Sequence, residues 1–229
     1  MPLALFFVFG GTLGATILSL PKKHLRSALS CLAVAFVERK RSAKKLIQSF
    51  VQMSEVARRD GILALEDKLG HLEDNFLEKG IAMAVDGTEP EAIQGALVQE
   101  LEETHARHEA GKQALGLVAR YAPAYGMLAT LTGLIHMLTT WGQTSLSDPM
   151  GTSDHMLPKM AFALVTTFCG IFLANTIALP LCDKFSEKDR EEMLHKKIVI
   201  SGILAIQSGD SPRMVKEKLN IFLPPSDRL

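Results

Sequence analysis

Polar side chains stand in stretches that carry no charge, among them Thr130, Thr132, His136, Thr139, Thr140, Thr166, Thr167, Asn175 and Thr176. Hydroxyl oxygens of this kind suit a hard cation, which prefers oxygen ligands. The competing use is local, because a threonine in an apolar helix can bond the carbonyl four residues back. No Asp or Glu stands among them. Proton and cation paths through membranes usually carry an ionisable group at depth. If this chain conducts ions, its relay acid must come from another chain. Other chemistry finds less support. Cys31, Cys169 and Cys182 are an odd number with no CxxC pair, and read as free thiols. His105 and His108 lie at i, i+3 among Glu102, Glu103, Arg107 and Glu109, which reads as a solvated helix face and not a zinc site. With no phosphate loop, nucleophile elbow or HExxH, neither an enzyme nor a cofactor is expected.

The elements that position these groups are read from the charges. Residues 2–20, 121–147 and 160–182 contain no Asp, Glu, Lys or Arg, although the chain holds 25 basic and 25 acidic side chains. The zero net charge argues against a nucleic-acid binder, which needs excess cations to replace counterions. A hydrophobic share of 47% excludes a disordered tail. Such segregation predicts membrane spans joined to a charged, water-soluble part. At about 1.5 Å per residue, residues 2–20 give about 28 Å of helix, just enough to cross a bilayer core. Basic residues follow this run instead of preceding it, so a cleaved signal peptide is rejected. The second run begins after Arg120 and ends near Trp141; the third runs from Met160 to Cys182. Small residues recur every four positions at Gly10 and Gly14, at Ala122, Gly126 and Thr130, at Ala129 and Gly133, and at Gly170, Ala174 and Ala178. Such rows let helices approach closely in lipid.

Orientation follows from basic residues near the span ends. Lys22, Lys23, Arg26, Arg39 and Lys40 follow the first span. Arg107, Lys112 and Arg120 precede the second. Lys184, Lys188, Arg190, Lys196 and Lys197 follow the third, whereas the link between the second and third holds Lys159 alone. That link is therefore expected outside, with residues 21–120 and 183–229 in the cytoplasm. This places Met1 outside, through a reversed signal anchor or because an upstream helix is missing from the chain.

The cytoplasmic segments read as helical. Leu46, Ile47, Phe50 and Val51 recur at helical spacing. Asp86-Gly87 is a turn, and Thr88-Glu89-Pro90-Glu91 is an N-terminal signature. A long helix follows, with Ile93, Leu97 and Leu101 on one face, and continues into the second span. Ser211-Pro212 opens a last short helix. The fold class is thus all-α: an integral membrane protein with three transmembrane helices and a large helical cytoplasmic insert. Its parts are a span at 1–21, a cytoplasmic domain at 22–119, two spans with an external loop at 120–182 and a cytoplasmic tail at 183–229.

This order of parts resembles the flagellar motor stator A-subunit family (MotA/PomA). The resemblance rests on Gly10-Gly11-Thr12 with Ser19-Leu20-Pro21, on Arg58-Arg59-Asp60-Gly61 through Glu66, and on Phe76 to Ile81 with Val85-Asp86-Gly87. It continues through Ala122-Pro123-Ala124-Tyr125-Gly126 to Leu134, Ala163 to Gly170 with Pro180, and Gly202 to Gly209 with Pro212-Arg213. Two departures stand out. The chain begins where the family's second span should be, and Ala129 stands where the family often has Gly.

The resemblance implies a ring of five A-type subunits around two copies of a B-type partner, whose single membrane helix supplies the missing carboxylate. Ion flow would turn the ring, and the cytoplasmic part would push the rotor protein of the flagellar switch. The expected setting is the bacterial cytoplasmic (inner) membrane, in lipid, with several passes and no nucleic acid. By the same resemblance Thr130 and Thr167 line the ion pathway, and Pro123 and Pro180 act mechanically. Arg58 and Glu66 face the rotor with Arg59 and Asp67 as auxiliaries. Arg58 and Glu66 share one face if their helix runs on through Gly61. Sodium is the expected ion because sodium-driven members carry a hydroxyl at the place of Thr130, with protons as the alternative. An ExbB/TolQ-type energising proton channel and a non-conducting membrane scaffold are the competing functions.

Overall fold

A computed structural model describes residues 2–21, 42–66, 74–144 and 152–228. Among the described residues the secondary structure is helical throughout. In chain order the helices are α1 (Pro2–Ser19), α2 (Ala43–Asp60), α3 (Asn75–Val85), α4 (Pro90–Thr144), α5 (Thr152–Phe172), α6 (Leu179–Gln207) and α7 (Pro212–Asn220). A 3-10 turn, Ile62–Leu65, follows α2, and a π-helical turn, Leu173–Ala178, joins α5 to α6 without a break. Among the described residues one helix, Leu157–Gln207, is long and apolar enough to cross a membrane; Leu5–Ser19 is a shorter apolar helix. The stretch expected as the second span lies inside α4.

The chain forms two compact units. One, here the apolar unit, comprises residues 1–37 and 107–187; the other, the charged unit, comprises 38–106 and 188–229.

In the charged unit large side chains close a core. Leu46, Ile47, Phe50 and Met53 of α2 are buried with Phe76, Leu77 and Ile81 of α3. Ile93 and Leu97 come from α4, Ile198, Val199 and Ile203 from α6, and Val215 and Leu219 from α7. Burying each such side chain stabilises by about 1.5–3 kcal/mol. The helix ends follow from local chemistry. Ser42 and Ser211 accept from the backbone N–H groups of Lys45 and Met214, and Asp74 from that of Phe76. Gly87, at φ 74°, ends α3 in a left-handed turn that residues with a Cβ rarely adopt. The entry to α4 differs slightly from expectation: Pro90 is its first residue, so Glu89 occupies the cap position in place of Thr88. Glu89's carbonyl accepts from Ile93 N–H at 3.0 Å.

In the apolar unit α1 packs on α5, and α4 meets α5 through small residues. Ala122, Gly126, Ala129 and Gly133 of α4 are buried, as are Gly170 of α5 and Ala174 and Ala178 of the π turn. The Gly10/Gly14 pair behaves differently from the expectation. A methyl group at either would meet nothing within 4 Å, whereas one at Gly11 would collide with the Tyr125 ring. The glycine that α1 uses for close approach is therefore Gly11.

Candidate functional site

Thr130 sits on the face of α4 that meets α5. Its Oγ1 lies 3.0 Å from the carbonyl of Gly126, one turn back, and 3.0 Å from that of Ala163 across the interface. The Thr130 and Thr167 hydroxyls are hydrogen-bonded to each other. Thr167 Oγ1 also stands 3.5 Å from Gly126 O, and buried Thr166 donates to Ala163 O at 2.8 Å. Five oxygens thus share three hydroxyl protons. A hydroxyl whose proton points at a carbonyl keeps its lone pairs for another ligand. The glycines set this geometry: a Cβ at Gly126 would stand 3.0 Å from Thr166 O, and one at Gly170 2.5 Å from Ala122 O.

The structure therefore brings Thr130 and Thr167 together. The carbonyls of Gly126 and Ala163 and the Thr166 hydroxyl complete the group. Thr166 was among the polar side chains named from the sequence, whereas the two carbonyls had no direct sign beyond the small-residue spacing that lets the helices touch. The other polar groups are mostly self-satisfied. Thr132 bonds Leu128 O at 2.9 Å and Asn175 bonds Ile171 O at 3.0 Å. Thr12 and Thr16 of α1 each bond the carbonyl four residues back.

The two prolines lie within continuous helix. Pro123 is inside α4, seven residues before Thr130, so about 10 Å along the axis. It offers no N–H to the carbonyl of Ala119. Pro180 is the second residue of α6, directly after the π turn, where Leu179 N–H reaches back to Ala174 O. A proline ring clashes with the carbonyl four residues earlier, and a wider turn gives that carbonyl room.

The charged site lies in the other unit. Arg58 and Arg59 occupy the exposed last turn of α2. Arg59 Nη2 bonds Asp60 Oδ2 at 2.7 Å. These hydrogen bonds from Arg59 hold the Asp60 carboxyl below its ordinary range. Among the described residues neither Arg58 nor Glu66 forms an ion pair. Helix α2 stops at Asp60, because Gly61 takes φ 88° and ψ 162°. The condition for Arg58 and Glu66 to share one helical face is therefore not met: a glycine at positive φ and a 3-10 turn intervene. That turn leaves Glu66 exposed and points Leu65 into the core. Asp67 lies outside the described residues. Asp60 was not singled out from the sequence, and its proximity to Arg59 was the available sign.

No group of three His, Cys, Asp or Glu among the described residues could hold a metal ion.

Comparison with known proteins agrees with this architecture. Residues 68–197 match the model of the MotA/TolQ/ExbB proton channel family. Motility protein A of Bacillus subtilis is 31% identical over 229 residues, which are 100% of this chain and 82% of that protein. A second Bacillus subtilis relative, the uncharacterized protein YtxD, is 37% identical over 218 residues, 95% of this chain and 76% of that protein. The flagellar MotAB stator complex from Bacillus subtilis superposes with a TM-score of 0.87 at 32% identity, over 99% of this chain and 86% of that chain. The chain belongs to the MotA/TolQ/ExbB proton channel family, a family of channel subunits and not a known enzyme family.

Proposed function

We propose, from this family membership, that the chain is an ion-conducting stator subunit of a bacterial flagellar motor and couples sodium or proton flow to torque on the rotor. The observation that carries the reading is the likeness to a MotAB stator complex along 99% of the chain. Relatives bearing the name Motility protein A favour the flagellar branch over a TolQ/ExbB-type channel.

In this reading the apolar unit lies in the bacterial inner membrane, with spans at 2–20, 121–141 and 160–182 and the charged unit in the cytoplasm. Five copies surround two copies of a B-type partner that brings the relay carboxylate, because the charge-free stretches hold none. Thr130 and Thr167 form part of the ion path. Their hydroxyls, with the Gly126 and Ala163 carbonyls, offer oxygen ligands for a desolvated cation. Hence sodium is the proposed ion; a proton needs only the carboxylate and water. Pro123 and Pro180 are the points where the helices flex during a cycle. Arg58 and Glu66, with Arg59 and Asp67, push the rotor switch protein. Arg59 is already engaged by Asp60, so Arg58 carries the larger share.

The test uses cells that rely on this stator, with swimming speed measured in potassium medium with and without sodium. Speed that rises with sodium at fixed pH, and co-purification with a peptidoglycan-binding B-type subunit, are expected. Sodium-independent speed would reassign the ion to protons. Failure to bind any B-type subunit would reject the stator reading. Pro123→Ala and Pro180→Ala should insert normally yet rotate slowly.

A further inference from the structure

The charged unit contains a buried polar cluster that neither the ion path nor the rotor-facing charges use. Asp74 opens α3. Its Oδ1 accepts from Phe76 N–H at 3.0 Å, and its carbonyl from Glu78 N–H at 3.0 Å. Its Oδ2 is buried, accepts no hydrogen bond, and faces Nδ1 of His195 on α6 at 3.4 Å. His195 is 8% exposed and its neighbour Lys196 is 7% exposed. Lys196 Nζ donates to Thr104 Oγ1 of α4 at 3.1 Å, lies 3.5 Å from Glu192, and stands 5.1 Å from the centre of the Phe76 ring. Two consecutive residues of α6 thus hold the first turn of α3, one at the Asp74 carboxylate and one at the Phe76 ring.

Buried ionic groups are a poor source of stability, since well-packed apolar residues do as well. Their best-attested uses are fixing register and switching. The distance here fits a switch. A charge-assisted N–H···O bond spans about 2.7–2.9 Å, and 3.4 Å is longer. A neutral imidazole carries one proton; with that proton on Nε2, Nδ1 turns a lone pair to the carboxylate. A second proton makes Nδ1 a donor.

The surrounding charges are largely engaged elsewhere. From α3, Lys79 is tied to Glu100 of α4, and Glu78 stands one turn beyond Asp74. Along the same stretch of α4, Glu103 is exposed and His105 is bound to Asp189 of α6. On the histidine's own helix, Glu192 is 3.5 Å from Lys196 and Glu191 is exposed. Among the described residues Asp74 is a carboxylate that faces Nδ1.

We propose that His195 and Asp74 form a proton-operated latch. A proton taken from solution onto Nδ1 draws the pair into a charge-assisted hydrogen bond and fixes the start of α3. Its return to solution releases that turn. The latch is engaged at low pH and opens as pH rises through the histidine range.

Hydrogen exchange of the full chain in detergent tests the proposal. Exchange is followed by mass spectrometry at about pH 6 and about pH 8, on either side of the histidine range, and corrected for intrinsic rates. Protection of the peptide spanning residues 74–80 should be about 5-fold or more higher at the lower pH in the native chain. His195→Gln should remove that difference while leaving peptides from α2 and α7 unchanged. Asp74→Asn keeps a capping oxygen and should remove it too. Lys79→Gln should preserve it. A native chain with no pH difference, or the same difference in both His195→Gln and Asp74→Asn, overturns the latch. Exchange does not depend on motility, so a working latch in a chain that drives no motor would count against the stator reading alone.

Discussion

The two units solve the same packing problem in opposite ways. At the α4–α5 seam of the apolar unit, Gly126 and Gly170 admit backbone, whereas Gly11 of α1 admits the Tyr125 ring: a methyl at Gly170 would stand 2.5 Å from Ala122 O, and one at Gly126 3.0 Å from Thr166 O. In the charged unit, glycines admit side chains: a methyl at Gly202 would stand 2.6 Å from the Phe50 ring, and one at Gly80 would run into Ile203. On the reading that places the apolar unit in lipid and the charged unit in water, the difference follows from the solvent each surface meets. In water, burying Phe50 and Ile47 is itself the driving force. A helix pair surrounded by lipid gains nothing from that and must gain from contact and hydrogen bonding at close range. Close range is also what places the hydroxyls of Thr130 and Thr167 side by side.

The sharpest way to break this contrast is Phe50→Ala. The side chain is wholly buried, and its loss should cost about 3–5 kcal/mol. Denaturant unfolding of the full chain in detergent would show it; a cost near zero would mean that the charged unit is not held by its large side chains. Next comes a matched pair, Gly170→Ala and Gly202→Ala. Overpacking costs about 1–3 kcal/mol. The first should sit at the upper end, because a helix carbonyl cannot turn aside, and the second lower, because the Phe50 ring can. Equal melting shifts would remove the distinction between backbone and side-chain contact. Thr130→Ala should cost about 1 kcal/mol as a lost hydrogen bond. If sodium is the ion, it should abolish rotation without preventing assembly, and Thr130→Ser should retain both. The smallest effect has the opposite sign. Gly95 lies in α4, and a methyl added there would meet nothing within 4 Å. Gly95→Ala should therefore stabilise by about 1 kcal/mol through helix propensity, read as a raised unfolding midpoint.

Much of this was legible from sequence where one local rule decides. The buried stripe Leu46, Ile47 and Phe50 follows from helical spacing in a charged stretch, and Val51 lies half-buried at its edge. Ser211-Pro212 caps and starts α7 as such a pair should. Other features depended on partners that sequence does not display. Gly61 is visible in the sequence as the place where the helix could stop, but only its φ of 88° shows that α2 ends there and separates Arg58 from Glu66. Gly11, not Gly10 or Gly14, is used because Tyr125 happens to face it. Thr130 and Thr167 could be paired only through resemblance, since they lie 37 residues apart. Lys196 entered the sequence reading only as a basic residue after the third run, and its burial with His195 appears only when α3 and α4 close over them.

The π turn between α5 and α6 has a geometric consequence. A row of residues spaced by four creeps around a regular α-helix by about 40° per step, because four residues overshoot a turn of about 3.6. Gly170, Ala174 and Ala178 form such a row, yet all three remain buried. The wider winding over Leu173–Ala178 takes back the creep and acts as a phase correction. Were the same six residues wound as a regular α-helix, each would turn by about 100°, and the creep would carry Ala178 out of the buried row.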